Sequence, residues 1–516
     1  MEIRFERRMN LGTGTAESDG DFLSQCFLET PEFHTLRDFD DKKMILLGRT
    51  GTGKTALLKE LSKGVGVSIE IKPDKFALQY VSNLPFIQEL RSQGVNLDIY
   101  YKFLWLHEIM SRIIKEYFAY KKRDFIDTLT SHIKNFSRIS QMKRYFDENG
   151  NVFFEEGSIE RITNKIEKDL GAELGIDTVR LLGKLSTSQK SEIQTRTATK
   201  VRDSQINQLK NIIELLREYL DKNRQRKILV IIDDLDMNWI DGNSKYYLLS
   251  ALLDAVRMFV DIPNLKILLA MRADLLMKTC EVAKRQTEKD KAFTLDLNWT
   301  KDSLRQVLDK RINWLFCHKY SKNQEVSFSD IFGSCSVDGI TASEYILDRS
   351  MMRPRDVIVF VNYCIREAEN KFAIDSDAIL SAEKIFRRDR EQAICFEWKE
   401  NFPEIQECLN ALCVCPQEFD VNELVENFYD KIEGEIFQNE EHENEPLVRS
   451  FLETDSSNLK KKKENIENLI SIFFLIGVVG KIENGSSFFS SPSIPTLTRR
   501  DYMGSSRFVV HPLFRM

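Results

Sequence analysis

The sequence lacks the long hydrophobic runs and the targeting signals that would place it in or beyond a membrane. No stretch of about eighteen uncharged apolar residues occurs in its 516 residues, so no membrane-spanning helix is predicted. Residues 1–12 have no apolar core of the kind that a secretion signal requires. From these absences we expect a cytoplasmic protein that makes no use of a membrane.

Cysteine is present but too dispersed to define the fold. The nine cysteines include no CxxC pair and no Cys/His pair at metal-binding spacing, and only Cys413 and Cys415 lie close together. We therefore expect reduced, buried thiols. Net charge is also small, because 74 Lys and Arg stand against 80 Asp and Glu to give −6. Composition alone thus gives no evidence for nucleic-acid binding, although a local basic patch is compatible with it.

Short apolar runs alternate with helical segments along the first 300 residues. The runs are bounded by charged residues or glycine, which is typical of buried parallel strands. Strands separated by helices form βαβ units, so an α/β fold with a parallel sheet is predicted. The predicted strands occupy residues 44–47, 67–71, 228–232, 267–270 and, more weakly, 293–297.

A glycine-rich segment with P-loop spacing follows the first predicted strand and precedes a predicted helix. Glycines let successive backbone N–H groups turn inward around phosphate oxygens, and a helix N-terminus adds positive potential there. Lys54 is predicted to reach the β- and γ-phosphates, and the hydroxyl of Thr55 to ligate Mg²⁺. The nucleotide-binding segment comprises Gly48, Arg49, Thr50, Gly51, Thr52, Gly53, Lys54 and Thr55.

A group of carboxylates ends the apolar run at 228–232. At the carboxyl edge of a parallel sheet, Asp233 is predicted to hold the metal through its water shell. Asp234 is the candidate to orient or deprotonate the attacking water. Two alternatives stay open: Asp236 shares the catalytic role, or both Asp234 and Asp236 only cap the next element.

Two arginine-containing segments are further candidates for nucleotide contact. Arg272 ends the fourth predicted strand and is predicted to contact the γ-phosphate, the alternative being an ion pair with Asp274. The segment 353–356, Arg-Pro-Arg-Asp, opens a predicted helix. One interpretation places Pro354 against the base and an arginine near the phosphates. The other is that proline is ordinary in a first helical turn.

The sequence favours ATP over GTP as the nucleotide. A guanine-reading motif of the form [NT]KxD is absent after the predicted metal-binding strand. We therefore expect ATP and Mg²⁺ as cofactors of an ATP-hydrolysing domain.

Three domains are predicted from the order of these segments. Residues 1–300 form the P-loop domain with an N-terminal segment, and about 84–222 are a helical insertion, because that interval exceeds one crossover. Residues 301–385 form a helical lid. Residues 386–516 form a winged-helix-like domain, since helices precede a strand pair with an Asn-Gly turn at 484–485.

Taken together, these motifs resemble those of bacterial P-loop ATPases allied to the STAND, KAP and AAA+-like classes. The P-loop is followed by "IIDDLD" at 231–236, an arginine-ended strand and "RPRD" at 353–356. Three further matches cover most of the chain: the "AESD" of 16–19 before Cys26, the "LDLNW" of 295–299 with Arg311, and the "VHP" of 510–512.

The resemblance implies an additional-strand, catalytic-acid (ASCE) P-loop domain with a helical lid and a winged helix. It also implies a nucleotide-dependent switch, which in STAND-type proteins couples to an effector, often in anti-phage defence. Because no nuclease, TIR, protease or sensor-repeat domain is recognisable here, we expect the effector or sensor to be a separate protein. Self-association is also expected, because relatives commonly complete the site from a neighbour, and Arg285 and Arg311 are candidates for that contact.

His511 is predicted, by analogy with STAND winged helices, to contact the β-phosphate of ADP. The alternative is a core histidine with one hydrogen bond, because its neighbours are apolar.

The sequence is compatible with three functions. The first is an ATP-hydrolysing switch that controls a partner effector. The second is a DNA-binding AAA+-like ATPase that uses the winged helix and the lysine run at 460–463, although the acidic stretch 440–445 opposes phosphate approach. The third is a nucleotide-binding scaffold without turnover.

Overall fold

The chain divides into two compact units in the computed structural model. Unit 1 comprises Met1–Leu28, Arg49–Gly53 and Leu297–Met516, and unit 2 comprises Glu29–Gly48 and Lys54–Asp296. Most of the predicted helical insertion lies outside the described residues. Those are residues 4–73, 97–117, 206–222, 227–237, 244–286, 288–319, 325–455, 457–503 and 506–515, with isolated positions between 88 and 242.

Unit 2 is built on a five-stranded parallel sheet. Its strands are β1 (Ile45–Leu47), β2 (Val67–Ile71), β3 (Ile228–Ile232), β4 (Leu265–Met271) and β5 (Thr294–Asp296). The spatial order is β2-β3-β4-β1-β5, so β4 is inserted between the strand before the P-loop and the strand before the carboxylates. The predicted α/β fold with an additional central strand is therefore confirmed. Every residue of β3 and β4 is buried, as a sheet covered on both faces requires.

Unit 2 also contains helices, and three of them, Asp98–Tyr117, Asn207–Lys222 and Ser244–Val256, supply most of the helical residues of the hydrophobic core that includes the sheet. In the core, the indole Nε1 of Trp105 donates to the carbonyl of Leu248 at 2.8 Å, which ties two long helices together. The helices are Pro31–Arg37, Lys54–Lys63, Asp98–Tyr117, Asn207–Lys222, Ser244–Val256, Ala273–Val282 and Glu288–Lys291, with a 3-10 turn at Arg257–Phe259.

Unit 1 is mainly helical and has a second, separate hydrophobic core. Across the described ranges of both units, none of the helices combines the length and apolarity needed to cross a bilayer. The α-helices of unit 1 are Gly20–Cys26, Lys301–Trp314, Phe328–Phe332, Ala342–Asp348, Pro354–Glu367, Ser376–Trp398, Ile405–Cys413, Val421–Asn427, Tyr429–Ile436, Pro446–Leu452 and Leu459–Ile476. Shorter helical turns are Leu315–Lys319, Glu440–His442, Arg499–Tyr502 and Pro512–Phe514.

Two small antiparallel sheets complete unit 1. One pairs β6 (Ser336–Val337) with β7 (Ile340–Thr341). The other contains β8 (Glu418–Asp420), β9 (Val479–Glu483), β10 (Ser486–Phe488) and β11 (Arg507–Val510) in the order β10-β9-β11-β8.

The predicted turn between β9 and β10 is confirmed. Asn484 and Gly485 both have positive φ, at 50° and 78°, as a tight hairpin turn requires. The winged-helix assignment of this region stays a prediction, as do the three domain boundaries.

A buried ion pair anchors the N-terminal segment to the first long helix of unit 1. The guanidinium of Arg311 donates to both carboxylate oxygens of Asp19 and, at 2.7 Å, to the carbonyl of Leu11. Both side chains are more than nine-tenths buried. Two of the motifs noted in the sequence, the "AESD" segment and Arg311, thus meet in one structural contact. Arg311 is engaged inside its own chain, which argues against its donation to a neighbour's nucleotide.

We predict that Asp19→Ala destabilises unit 1 strongly. The substitution leaves the guanidinium of Arg311 buried without its counter-charge, which typically costs about 3–5 kcal/mol. Glu6→Ala is the control, because the Arg8–Glu6 pair is exposed and should contribute less than about 1 kcal/mol. Urea unfolding measures both variants, and equal small losses would contradict the assigned role of the buried pair.

Candidate functional site

The two ends of the P-loop lie in unit 2, at the carboxyl end of β1. The N–H of Gly48 donates to the carbonyl of Met271 at 3.3 Å, which fixes the exit of β1 against β4. Lys54 begins the helix Lys54–Lys63, and its Nζ donates to the carbonyl of Gly48 at 2.9 Å. The Lys54 side chain therefore points from the helix N-terminus, the end of a helix that attracts anions, back to the residue after β1.

Thr55 and Asp233 form the oxygen pair expected for a metal. The hydroxyl of Thr55 donates to Oδ2 of Asp233 at 2.8 Å, and Asp233 is buried. Burial raises the pKa of the Asp233 carboxyl, and hydrogen bonds from the Asp234 backbone and from Thr55 oppose that rise. A buried carboxylate beside a hydroxyl offers the hard oxygen ligands that Mg²⁺ prefers, and P-loop sites add phosphate oxygens to one or two protein ligands. Within the described ranges, no group of three or more His, Cys, Asp or Glu side chains forms an alternative metal site.

Asp234 lies beside Asp233 in a constrained backbone conformation. Its φ is 59°, and its N–H donates to Oδ1 of Asp233 at 2.9 Å. The Nζ of Lys72 lies 3.3 Å from Oδ2 of Asp234 and 3.4 Å from Oε1 of Glu70. Although burial opposes it, the charges of Glu70 and Asp234 raise the pKa of Lys72. The Asp234 carboxylate thus pairs with an ammonium group beside Asp233, at the edge of the sheet where a base for the attacking water is expected.

Lys72 was not predicted from the sequence. Its position directly after β2 is the sequence feature that could have indicated it. The last residue of β2, Ile71, pairs with Ile232 at the end of β3. The two strands therefore deliver Lys72 and Asp233 to the same edge. Asp236 contributes its backbone, since its carbonyl accepts a hydrogen bond from Nζ of Lys245 at 2.8 Å.

Arg272 follows β4 as predicted, but its guanidinium is engaged elsewhere. Its Nε and Nη2 donate to the two carboxylate oxygens of Asp274 at 2.9 and 2.8 Å. The structure therefore contains the ion pair that was the alternative interpretation, and the contact of Arg272 with a γ-phosphate stays a prediction. Arg285 is likewise buried and paired, with Asp254 at 2.8 Å and Asp290 at 2.7 Å. Like Arg311, it is poorly placed to serve a neighbouring molecule.

The middle of the P-loop belongs to unit 1. Gly51 and Gly53 have φ of 82° and 90°, the left-handed region in which glycine is unstrained. The carbonyl of Thr52 accepts a hydrogen bond from the indole Nε1 of Trp299 at 2.8 Å. The hydroxyl of Thr50 donates to Oε1 of Glu397 at 2.7 Å. The P-loop is therefore held by Trp299, which follows β5, and by Glu397, near the end of the helix Ser376–Trp398.

The segment 353–356 opens the helix Pro354–Glu367 as predicted. Pro354 occupies the first turn and is buried. The N–H of Arg355 lies 3.4 Å from the carbonyl of Gly51, and its Nε donates to the carbonyl of Gly14 at 2.9 Å. Asp356 is fully buried and accepts a hydrogen bond from Arg390 at 2.9 Å. This helix thus touches the P-loop through its backbone, and the contact of Pro354 with a base stays a prediction.

Arg49 connects the P-loop to the C-terminal part of unit 1. Its Nη2 donates to the carbonyl of Ile476, the last residue of the helix Leu459–Ile476. A cation is favourable at a helix C-terminus, where unpaired carbonyls carry partial negative charge. Gly477 ends the helix with φ of 84°, and a Cβ added there would lie 2.2 Å from Nη1 of Arg49. Only glycine therefore allows both the helix end and the close approach of the guanidinium.

His511 lies at the end of β11 and is buried. Its Nδ1 accepts a hydrogen bond from the N–H of Leu513 at 3.2 Å, and its ring packs edge-on against Phe489. Burial, reinforced by the positive charges of Arg49 and Arg515, lowers the pKa of His511 to about 3. The imidazole is therefore neutral at physiological pH, and its hydrogen resides on Nε2.

Comparison with known proteins agrees with this geometry. Residues 44–294 match the KAP family P-loop domain. Residues 44–294 form a P-loop NTPase domain of the KAP type. Residues 302–395 match the FunZ-associated C-terminal helical domain. The resemblance to KAP-allied P-loop proteins is thus confirmed, and the family indicates nucleotide hydrolysis.

A bacterial relative aligns with the whole chain. It is an 80.3 kDa protein of Escherichia coli (strain K12) whose name assigns it provisionally to transposon gamma-delta. The two are 23% identical over 537 aligned residues, which cover 100% of this chain and 68% of the relative.

We predict that Gly477→Ala weakens both stability and nucleotide binding. A methyl group at residue 477 strains the left-handed backbone, at a cost of about 1 kcal/mol, and displaces Arg49 from the helix end. Gly485→Ala is the matched control, because Gly485 also has positive φ but has nothing within 4 Å of an added Cβ.

Thermal unfolding and calorimetric titration with Mg·ATP compare the two variants. Both should lose stability, but only Gly477→Ala should lose nucleotide affinity. Identical behaviour of the two variants would contradict a role for the Arg49 contact.

Proposed function

We propose that this chain is an ATP-hydrolysing switch in which the P-loop is coupled to the C-terminal part of the protein. The observation that carries the proposal is the bond from Arg49 to the end of the helix Leu459–Ile476. Arg49 lies inside the loop that surrounds the phosphates, so a change in the loop alters the cap on that helix. A few kcal/mol of difference between nucleotide states shifts a two-state population by more than 10²-fold.

The hydrolytic chemistry is assigned to residues at the carboxyl edge of the sheet. Lys54 binds the β- and γ-phosphates, and Thr55 and Asp233 hold Mg²⁺, which supplies charge stabilisation to the transferred phosphoryl group. Asp234 accepts a proton from the attacking water. Support for this role comes from the ion pair with Lys72 and from the backbone hydrogen bond to Asp233, which hold the Asp234 carboxylate in place beside Asp233. Arg272 is the candidate for the γ-phosphate once it leaves Asp274.

The nucleotide is proposed to be ATP, with His511 as a sensor of the diphosphate state. Because Nδ1 of His511 accepts from Leu513, its Nε2–H is the donor available to a phosphate oxygen. A donor on β11 binds the nucleotide only when the C-terminal segment is in place. His511 therefore favours one conformation of the switch in the ADP state.

Control of a partner effector and a role in anti-phage defence extend this proposal. They rest on the resemblance of the motifs to STAND-type switches. Self-association through ATP belongs to the same extension. With Arg285 and Arg311 both paired internally, a residue from another part of the chain has to complete a shared site.

A second candidate function, the handling of DNA, is favoured by the transposon assignment of the Escherichia coli relative. The lysine run offers limited support. Lys460 is exposed, but Lys462 lies over the ring of Tyr429 and 3.7 Å from Asp430. The exposed side chains of the nearby acidic stretch 440–445 oppose a DNA backbone. Duplex binding that is tight and falls steeply with salt would support DNA handling, and salt-independent weak binding would oppose it.

We predict that Asp234→Asn binds Mg·ATP but hydrolyses it at least ~100-fold more slowly, because the amide cannot accept the proton from water. Lys54→Ala should instead lose nucleotide binding itself, with the fold intact. Asp236→Asn is the matched control, since Asp236 contacts Lys245 through its backbone carbonyl.

Phosphate release and calorimetric titration separate these effects. A hydrolysis rate for Asp234→Asn within a few-fold of the unmodified chain would move catalysis to another residue. Unchanged ATP affinity in Lys54→Ala would contradict the P-loop assignment.

A further inference from the structure

A cavity of about 280 Å³ lies within unit 1, beside the middle of the P-loop. Arg49 and Thr52 of the loop line it, together with Trp299, Arg353 and His511. The remaining lining residues are Leu297, Asn298, Met351, Met352, Gly477 and a segment after β9 that includes three serines. The volume is at the lower end for a ligand site and is enough for one or two phosphoryl groups.

The lining carries positive charge and hydrogen-bond donors but no carboxylate. Two guanidinium groups, those of Arg49 and Arg353, face the same space as the imidazole of His511. Glu and Asp are absent from the lining, all of which belongs to the described residues. A cavity of this composition favours an anion and repels a cation.

Arg353 is the feature that requires a ligand. Arg353 is only 5% exposed, and its Nε is buried and has no hydrogen-bond partner. Across the described ranges, its guanidinium makes no hydrogen bond or ion pair. Asp356 interacts with it electrostatically, but the hydrogen bond of that carboxylate goes to Arg390. A buried guanidinium in this state is costly unless an anion compensates it.

His511 supplies a second donor with a fixed direction. Its Nδ1 is occupied by the N–H of Leu513, and its backbone N–H donates to the carbonyl of Val478 at 2.8 Å. Nε2–H is therefore the donor left for a ligand in the cavity. The ring is held by Phe489, with 5.0 Å between the ring centroids, which keeps the donor in place.

We propose that this cavity is a phosphoryl-binding site in which Arg353, Arg49 and His511 coordinate one phosphate or pyrophosphate group. Arg49 already donates to the carbonyl of Ile476, so an anion bound here contacts a residue shared by the P-loop and the helix end. The site therefore joins the loop to the C-terminal segment through a ligand.

The phosphoryl group has two sources with the same chemistry. It is either the phosphate chain of the nucleotide in the P-loop, in which case the inference rests on the proposed function, or a separate phosphorylated small molecule. Inorganic pyrophosphate is a probe for both, because it presents the same oxygens without a base or a ribose.

The test compares Arg353→Met with the unmodified full-length chain by calorimetry and thermal unfolding. Met has a similar length and no charge, so the variant should melt at the same temperature as the unmodified chain or higher when no anion is added. Loss of a charge-assisted hydrogen bond should weaken pyrophosphate binding about 10- to 100-fold. Arg500→Met is the control, because Arg500 is exposed and the charge change is identical.

The Lys54→Ala background distinguishes the sources. If Lys54→Ala still binds pyrophosphate and the added Arg353→Met abolishes that binding, the cavity takes a separate ligand. If Lys54→Ala binds none, and Arg353→Met alone weakens ADP or ATP, the cavity takes the phosphates of the nucleotide. Either result supports the site. Both readouts measure binding, so they remain valid even if the chain does not hydrolyse ATP.

Two results would overturn the proposal. One is equal affinity of the unmodified chain and Arg353→Met for both pyrophosphate and nucleotide. The other is a melting temperature of Arg353→Met far below that of the unmodified chain without anion, because Arg353 would then have an internal role.

Discussion

The hydrogen bond from Arg49 to the carbonyl of Ile476 connects the P-loop to the C-terminal part of unit 1. A P-loop residue caps the helix Leu459–Ile476, and Gly477 provides the space for its guanidinium. The same loop is held by Trp299 at one carbonyl and by Glu397 at one hydroxyl. The loop conformation that surrounds a phosphate is therefore set by residues more than 240 positions away in sequence.

The catalytic edge of unit 2 depends on a simpler constraint, the shared direction of parallel strands. β1, β2, β3 and β4 all end at one edge, which brings together the P-loop, Lys72, Asp233 and Arg272. Burial of β3 on both faces places Asp233 in a poorly solvated position, which favours a cation beside it. The predicted metal ligand Asp233 and the predicted base Asp234 thus lie side by side because of the strand order and of the left-handed backbone of Asp234.

Sequence reasoning predicts the parts of the structure that are local. The runs at 67–71 and 228–232 are strands with the predicted bounds, and the Asn484-Gly485 turn forms as expected. These features depend on apolar runs and on turn residues that can be read in a short window. The P-loop and Asp233 can also be predicted from a short stretch of sequence, because each motif requires only a strand before it and a helix or loop after it.

Contacts between distant residues could not be predicted in the same way. Nothing near Arg49 in the sequence indicates the end of a helix at Ile476, and nothing near Arg353 indicates a buried charge without an ion pair. Arg272 and Arg311 have the residue type expected of phosphate sensors, yet each is neutralised by a carboxylate, Asp274 and Asp19 respectively. An arginine's role depends on which anion is closest in space, and only the folded chain determines that.

Hydrogen exchange at the end of the helix Leu459–Ile476 tests most directly whether the P-loop is coupled to that helix through Arg49. The amides of Gly477 and Val478 directly follow Ile476, whose carbonyl Arg49 caps, and both donate to the carbonyl of Phe473 in the last turn of the helix. If nucleotide in the P-loop orders Arg49, addition of Mg·ADP should slow the exchange of these two amides, and Lys54→Ala should abolish the effect. Slower exchange in the loop 51–55 with no change at Gly477 and Val478 would contradict the coupling.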